Sequence, residues 1–167
     1  MEPNKRKAIL QKVEQYLQEA NHEEVDVLDS LVTGIMKKKD GEYETYINAI
    51  TQMSSLYLEN GDYEIVIPIQ PVIKNVVNMA HGGITATLID TAMGSLVSKK
   101  LPSDQAVVTS EINIHYIKPG VGDYLRCVAT LLNQGKRLCV TEAKVYSDEG
   151  KIVASGSGSF VIINKNR

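Results

Sequence analysis

Between Asn75 and Ser98 the chain carries one charged side chain, Asp90, in a run otherwise built of apolar, small and hydroxyl residues. Taking a carboxylate out of water costs several kcal/mol, so chains rarely hold one in such company without a use for it. Two uses are chemical: a carboxylate accepts a proton from water, or attacks a carbonyl itself. Desolvation by apolar neighbours would sharpen it as a base. Upstream stands His81-Gly82-Gly83, small residues that open a helix and leave backbone N–H groups without intrahelical acceptors at the positive end of the helix dipole. An acid and amide donors are the parts needed to hydrolyse an activated ester, one for the water and the other for the developing oxyanion. Structural readings stand beside the chemical ones. Asp90 could hydrogen-bond Thr87 or a neighbouring strand, the glycines could serve close helix–sheet packing, and His81 could bond a loop carbonyl.

The spacing sharpens the chemical reading. Gly82 and Asp90 lie eight positions apart, roughly 12 Å along one straight helix. A reacting carbonyl cannot sit about 3 Å from both. If one reaction uses both, the donor and the acid come from different copies of the chain, and the chemistry requires an oligomer with shared sites.

Other chemistries find less support. There is no Gly-x-Ser-x-Gly, so a serine nucleophile at a strand–helix elbow is not indicated. Ser155-Gly-Ser-Gly-Ser159 falls in strand pattern and lacks the lysine of a phosphate cradle. Three scattered histidines and two distant cysteines give no metal site, and no cofactor is implied. A formal net charge of −2 argues against nucleic acid and anionic membranes as partners. Lys5-Arg6-Lys7 and Lys37-Lys38-Lys39 read as solvated helix faces. Met1 to Lys7 is too polar for a signal peptide, and Cys127 and Cys139 read as reduced core thiols, so a cytoplasmic setting is expected. A two-residue hairpin at Asn133 to Lys136 would set Cys127 opposite Glu142 and aim the two thiols at opposite sheet faces.

These groups need elements to hold them. Residues 5–39 show apolar positions at helical spacing, broken near Asn21-His22 and stopped at Asp40-Gly41. They form two amphipathic helices expected to act as a lid or packing layer. From Ile50 the period becomes two. The pattern predicts strands over Ile50–Leu58 and Tyr63–Ile69 around Asn60-Gly61-Asp62, then a helix from Gly82 to Lys100 closed by Leu101-Pro102. Strands over Ala106–Ile117, Asp123–Leu132, Arg137–Tyr146 and Lys151–Ile163 complete the chain, read as an antiparallel meander. On a helical wheel Ile84, Leu88, Ile89, Ala92, Met93, Leu96 and Val97 cover most of the circumference. Thr87, Asp90, Thr91, Gly94, Ser95 and Ser98 form a narrow strip that a ligand or second subunit can approach. The expected class is α+β, one long helix wrapped by a curved antiparallel sheet.

Two stretches, His81-Gly-Gly-Ile-Thr-Ala-Thr-Leu-Ile-Asp90-Thr-Ala-Met-Gly94 and Val108-Thr-Ser-Glu-Ile-Asn-Ile-His-Tyr116-Ile-Lys-Pro119, closely resemble the hotdog-fold acyl-CoA thioesterases of the PaaI type. Gly135-Lys-Arg and Val145-Tyr-Ser-Asp-Glu-Gly-Lys-Ile-Val-Ala154 continue the match in order. The resemblance covers about Tyr63 to Ile163. With it the chain divides into an N-terminal helical extension, residues 1–42, and a hotdog domain, residues 43–167. It implies hydrolysis of an acyl- or aryl-CoA to the free acid and CoA, in a homodimer or homotetramer whose subunits share the sites. Asp90 takes the position of the catalytic carboxylate, Gly82 that of the backbone donor to the thioester carbonyl, and His81 stands beside it. Asn75 matches a polar residue that assists the carbonyl or sulfur in some members. Thr109 matches a position where a close branch has a serine that helps hold water. Gly83 belongs to the substrate-binding set, and Lys136 and Arg137, in a tight turn, are candidates for the CoA phosphates, with Lys99, Lys100 and Lys118 as alternatives. A second reading is a non-catalytic module that senses acyl-CoA. A third is a hydratase, which would pair a histidine such as His115 with an acid.

Overall fold

The computed structural model describes residues 3–165, which cluster into one unit up to Ile50 and another from Thr51. In the first unit the helical periodicity yields α1 (Pro3–Glu19) and α2 (His22–Lys39). The break is a capping box at Asn21. Its side-chain oxygen accepts from the Glu24 N–H at 3.1 Å, and the Glu24 carboxylate accepts from the Asn21 N–H at 2.8 Å. A further helix, α3 (Tyr46–Thr51), stands where the alternation predicted the start of a strand. Thr45 Oγ1 accepts from the Asn48 N–H at 3.2 Å and caps it. Gln52, with φ of 54°, then ends the helix, so the strand begins later, as β1 (Ser54–Tyr57).

The second unit continues through β2 (Tyr63–Pro68), a 3-10 turn at Pro71–Ile73, and α4 (Gly82–Lys99). It ends with β3 (Gln105–Tyr116), β4 (Tyr124–Gln134), β5 (Leu138–Ser147) and β6 (Ile152–Asn164). All six strands join one antiparallel sheet in the order β1-β2-β4-β5-β6-β3. A simple meander does not survive. β4, β5 and β6 are consecutive neighbours, but β3 lies at the far edge beside β6 and must cross the sheet end to reach β4. Residues 117–123 make the crossing, long enough at about 3.3 Å per extended residue. The crossing is pinned where Ile117 and Lys118 donate to Val153 O, where Ala80 donates to Gly120 O, and where Ile69 donates to Asp123 O.

α4 lies along the sheet as the wheel predicted. Leu88, Ile89, Ala92, Met93, Leu96 and Val97 are buried against Ile65, Ile67, Leu125, Val145 and Phe160. Each such leucine or isoleucine stabilises the fold by about 1.5–3 kcal/mol. Two strand glycines allow this close approach. A Cβ on Gly156 would meet Ile89 at 3.2 Å and one on Gly158 would meet Met93 at 3.0 Å, so the Ser-Gly-Ser-Gly-Ser run is a helix-docking surface. Helix and sheet together have the hotdog layout.

The cysteines correct a register. Cys127 pairs with Val145, and Thr130 is the residue opposite Glu142. A bulge between Leu131 and Asn133 adds a residue to β4, and both thiols are buried in the core beneath α4.

Candidate active site

The start of α4 is held by a nearly complete set of hydrogen bonds. Asn75 organises the loop before it: its Oδ1 accepts from the N–H groups of Val77 at 3.0 Å and Met79 at 3.2 Å, and its carbonyl accepts from Asn78. Ala80 donates to Gly120 O and His81 to Ile73 O, each at 2.8 Å. His81 is the N-cap, and its Nδ1 accepts from the Gly83 N–H at 2.9 Å. That acceptor role puts the proton of the neutral imidazole on Nε2. Ile84 and Thr85 both donate to His81 O. From Val77 through Thr85, therefore, every backbone N–H except that of Gly82 has an acceptor among the described residues.

Gly82 has no packing reason to be glycine. A Cβ there would meet only the Tyr116 ring, at 3.6 to 3.8 Å, an ordinary contact. Gly83 differs: its N–H is taken, and a Cβ would press on His81 Nδ1 at 3.1 Å. Of the adjacent glycines, the first presents a donor and the second accommodates the cap. Gly82 lines a cleft of about 330 Å³ with Asn75, Met79, Tyr116, Lys118 and Val153. The side-chain amide nitrogen of Asn75 has no acceptor among the described residues, which leaves its hydrogens available at the cleft.

Asp90 is only half-buried, so it does not sit in the apolar enclosure that its neighbours in sequence suggested. It opens from the small-residue strip of α4 onto a separate cleft of about 300 Å³, with Gly94, Ser95, Ser98, Thr109 and Phe160. Its partner is not Thr87, which donates to Gly83 O at 2.9 Å, but Thr109, whose Oγ1 donates to Asp90 Oδ1 at 2.8 Å. Local strand geometry delivers that threonine. Ile112 and Ile114 face α4, and strict alternation would turn Thr109 away. A bulge between Thr109 and Glu111 sets Thr109 opposite buried Phe160 and so on the helix side. The second carboxylate oxygen, Oδ2, accepts no hydrogen bond within the described residues.

The candidates thus form two groups. Asn75, His81, Gly82 and Gly83 gather at the start of α4, Asp90 and Thr109 lie further along it, and the two clefts share no lining residue. Lys136 and Arg137 border a third cleft of about 770 Å³, which adjoins the Asp90 cleft through Ala106 and also carries Lys165. Lys99 and Lys100 are instead drawn over the rings of Tyr63 and Tyr57. His115 lies opposite Ser155 on the sheet face away from α4, remote from Asp90. Burial pushes the Cys127 thiol up to about 12 and raises that of Cys139, so neither serves as a nucleophile near neutral pH. Sequence reasoning gave Tyr116 no role of its own, yet its hydroxyl donates to Gly82 O at 2.9 Å. The available signal was the Tyr-x-x-Pro strand end, read only as a mark of resemblance.

Among known proteins, residues 78–154 match the family model described as the thioesterase superfamily. A candidate esterase of Halobacterium salinarum is 40% identical over 88 residues, covering 48% of this chain and 58% of its own length. Acyl-coenzyme A thioesterase 13 of Pongo abelii is 33% identical over 86 residues, covering 49% and 59% respectively. The chain thus spans under two thirds of both curated relatives. The BH2602 protein of Bacillus halodurans, whose crystal structure was solved with CoA, superposes with a TM-score of 0.86 at 51% identity, covering 92% of this chain and 99% of that one. No helix of the described residues is long and apolar enough to cross a membrane.

Proposed function

The chain belongs to the thioesterase superfamily, and on that premise we propose that it hydrolyses acyl- or aryl-CoA thioesters, in a site assembled from two copies of itself. The observation that carries this reading is the pairing of one unclaimed amide N–H, at Gly82, with one carboxylate, Asp90, on the same helix but in separate clefts. Asp90 accepts the proton of an attacking water, or attacks the thioester itself. Thr109 fixes one carboxylate oxygen and leaves the other for the reaction. The Gly82 N–H of the second copy, aided by the helix dipole and the Asn75 amide, receives the oxyanion. The tetrahedral intermediate then expels CoA as thiolate. By the direct route the acyl group is left on Asp90 as a mixed anhydride, which water hydrolyses to the free acid and the regenerated carboxylate. Lys136 and Arg137, beside the Asp90 cleft, supply cations for the CoA phosphates. The Bacillus halodurans relative, solved with CoA, supports that class of substrate.

β3 supplies the means of assembly. It is a twelve-residue edge strand with no proline or lysine along it, and it exposes Val108, Ile112 and Tyr116. Such an edge is a template for another strand. Thr109, which holds Asp90, and Tyr116, which holds Gly82, both lie on it. If two copies pair β3 antiparallel about an axis near Ile112 and Asn113, Thr109 of one lies beside the partner's Tyr116. The acid and the donor then face one site, and symmetry makes two sites per dimer.

The experiment is thiol release from a panel of straight-chain and aryl acyl-CoAs. Turnover is expected, and Asp90→Asn should reduce it by about 10²–10⁴-fold while the protein stays folded. Near-full activity in that variant would remove the carboxylate from the mechanism.

A further inference from the structure

We infer that Tyr116 is a positioning residue that aims the Gly82 amide, an inference that rests on the reading of Gly82 as the oxyanion donor. A donor is effective only if held within about 0.5 Å and 10–20° of the productive direction. Gly82 is poorly placed to hold itself. It begins a helix, has a second glycine after it, and lacks a Cβ to restrict its dihedrals. The residues on either side are tied through other groups: His81 by Ile73 O, and Gly83 by the His81 ring. Among the described residues the one side chain that grips Gly82 itself is Tyr116. Its hydroxyl donates to the Gly82 carbonyl at 2.9 Å, and its ring stands 3.6 to 3.7 Å from where a Cβ on Gly82 would lie.

The remainder of the Tyr-x-x-Pro-Gly segment strengthens this grip. Gly120 O accepts from Ala80 at 2.8 Å, and a Cβ on Gly120 would sit 3.0 Å from that of Ala80. Residues 116 and 120 therefore hold the chain on both sides of His81, and the intervening turn sets their spacing. The His81 carbonyl, which shares a peptide plane with the Gly82 N–H, is held by the N–H groups of Ile84 and Thr85, and the phenol holds the Gly82 carbonyl in the next plane, so rotation at Gly82 is restrained from both sides. Its N–H therefore keeps one direction, at a residue that lines the same cleft as Asn75. Because Tyr116 sits on the edge strand, pairing of that strand with a second copy would also stiffen the donor.

The test is Tyr116→Phe, which keeps the ring and deletes one exposed hydroxyl, so folding is not at risk. A misaimed transition-state donor lowers kcat and leaves ground-state binding alone. The expected result is a fall of about tenfold in kcat with KM within about twofold. A dethia acyl-CoA ketone labelled with ¹³C at its carbonyl gives the second readout. Its bound stretching frequency should fall in the wild type, where the amide polarises it, and shift back toward the free value in the variant. Wild-type kcat and frequency in Tyr116→Phe, with Asp90→Asn inactive, would overturn the role of Tyr116 and leave the site reading standing. A wild-type protein that releases no thiol from any acyl-CoA would overturn both.

Discussion

Gly82→Pro isolates the amide on which the site depends. Proline removes one N–H, and at most positions that also breaks a hydrogen bond and strains the preceding residue. Here neither cost arises. The Gly82 N–H has no acceptor among the described residues, and Gly82 is the first residue of α4, where proline is favoured. His81 precedes it at φ −63° and ψ 134°, the extended backbone that a following proline requires. The ring's Cβ meets Tyr116 at no less than 3.6 Å. The substitution also restricts the unfolded chain, so stability should hold or rise by about 0.4–1 kcal/mol. Loss of one oxyanion donor should meanwhile cut kcat by about 10²–10³-fold, about 3–4 kcal/mol of transition-state stabilisation. Urea denaturation and thiol release on the same preparation measure both quantities. A folded variant with near-wild-type kcat/KM would refute the donor role. An unfolded one would refute the claim that this amide is structurally idle.

The hydrogen bond from Thr109 to Asp90 predicts that Thr109→Val lowers kcat by about tenfold, whereas Thr109→Ser, which keeps the hydroxyl, retains most activity; steady-state kinetics on both variants decide it. Ile112→Lys places two cations beside the proposed strand axis, and should halve the mass seen by light scattering and abolish thiol release together. The raised Cys127 and Cys139 thiols stay protonated at pH 8, so iodoacetamide should label neither in the native protein and both in urea, and the thiol-release assay should carry no background from the enzyme. Because the Cys127 thiol is raised from 9 to about 12, the native state keeps a proton that the unfolded chain loses, and this contribution to stability should fall as the pH rises from about 9 toward 12.

The long helix was legible in the sequence because its apolar positions cover most of a wheel and the polar strip carries Asp90. The strands from β2 onward were legible through alternation and strong turns. Bulges and crossovers were not. Nothing in Val108-Thr-Ser-Glu111 announces that an extra residue turns Thr109 toward α4. The cysteine register differs because the hairpin turns at Lys136-Arg137, where the Gly135 N–H donates to Leu138 O, and the β4 bulge at Leu132 then brings the two thiols to one face. The position of β3 at the far edge is decided by packing over α4, which no local pattern encodes. α3 was missed because its cap, Thr45, precedes a short segment whose apolar residues also fit a strand. At the site, residue types pointed to an acid and a glycine amide. Only the fold distinguishes Gly82, whose N–H is unclaimed among the described residues, from Gly83, whose N–H is consumed by His81.

Subunit complementation tests the shared site most directly. Asp90→Asn lacks the acid and Gly82→Pro lacks the donor, so each homodimer should be nearly inactive. Co-expressed in equal amounts, half of the dimers pair one variant with the other. In each of these, one of the two sites combines an intact Asp90 with an intact Gly82. The account predicts recovery of about one quarter of wild-type specific activity in the mixture. Activity no higher than that of the separate variants, in a sample where mixed dimers are demonstrated by mass spectrometry, would contradict it.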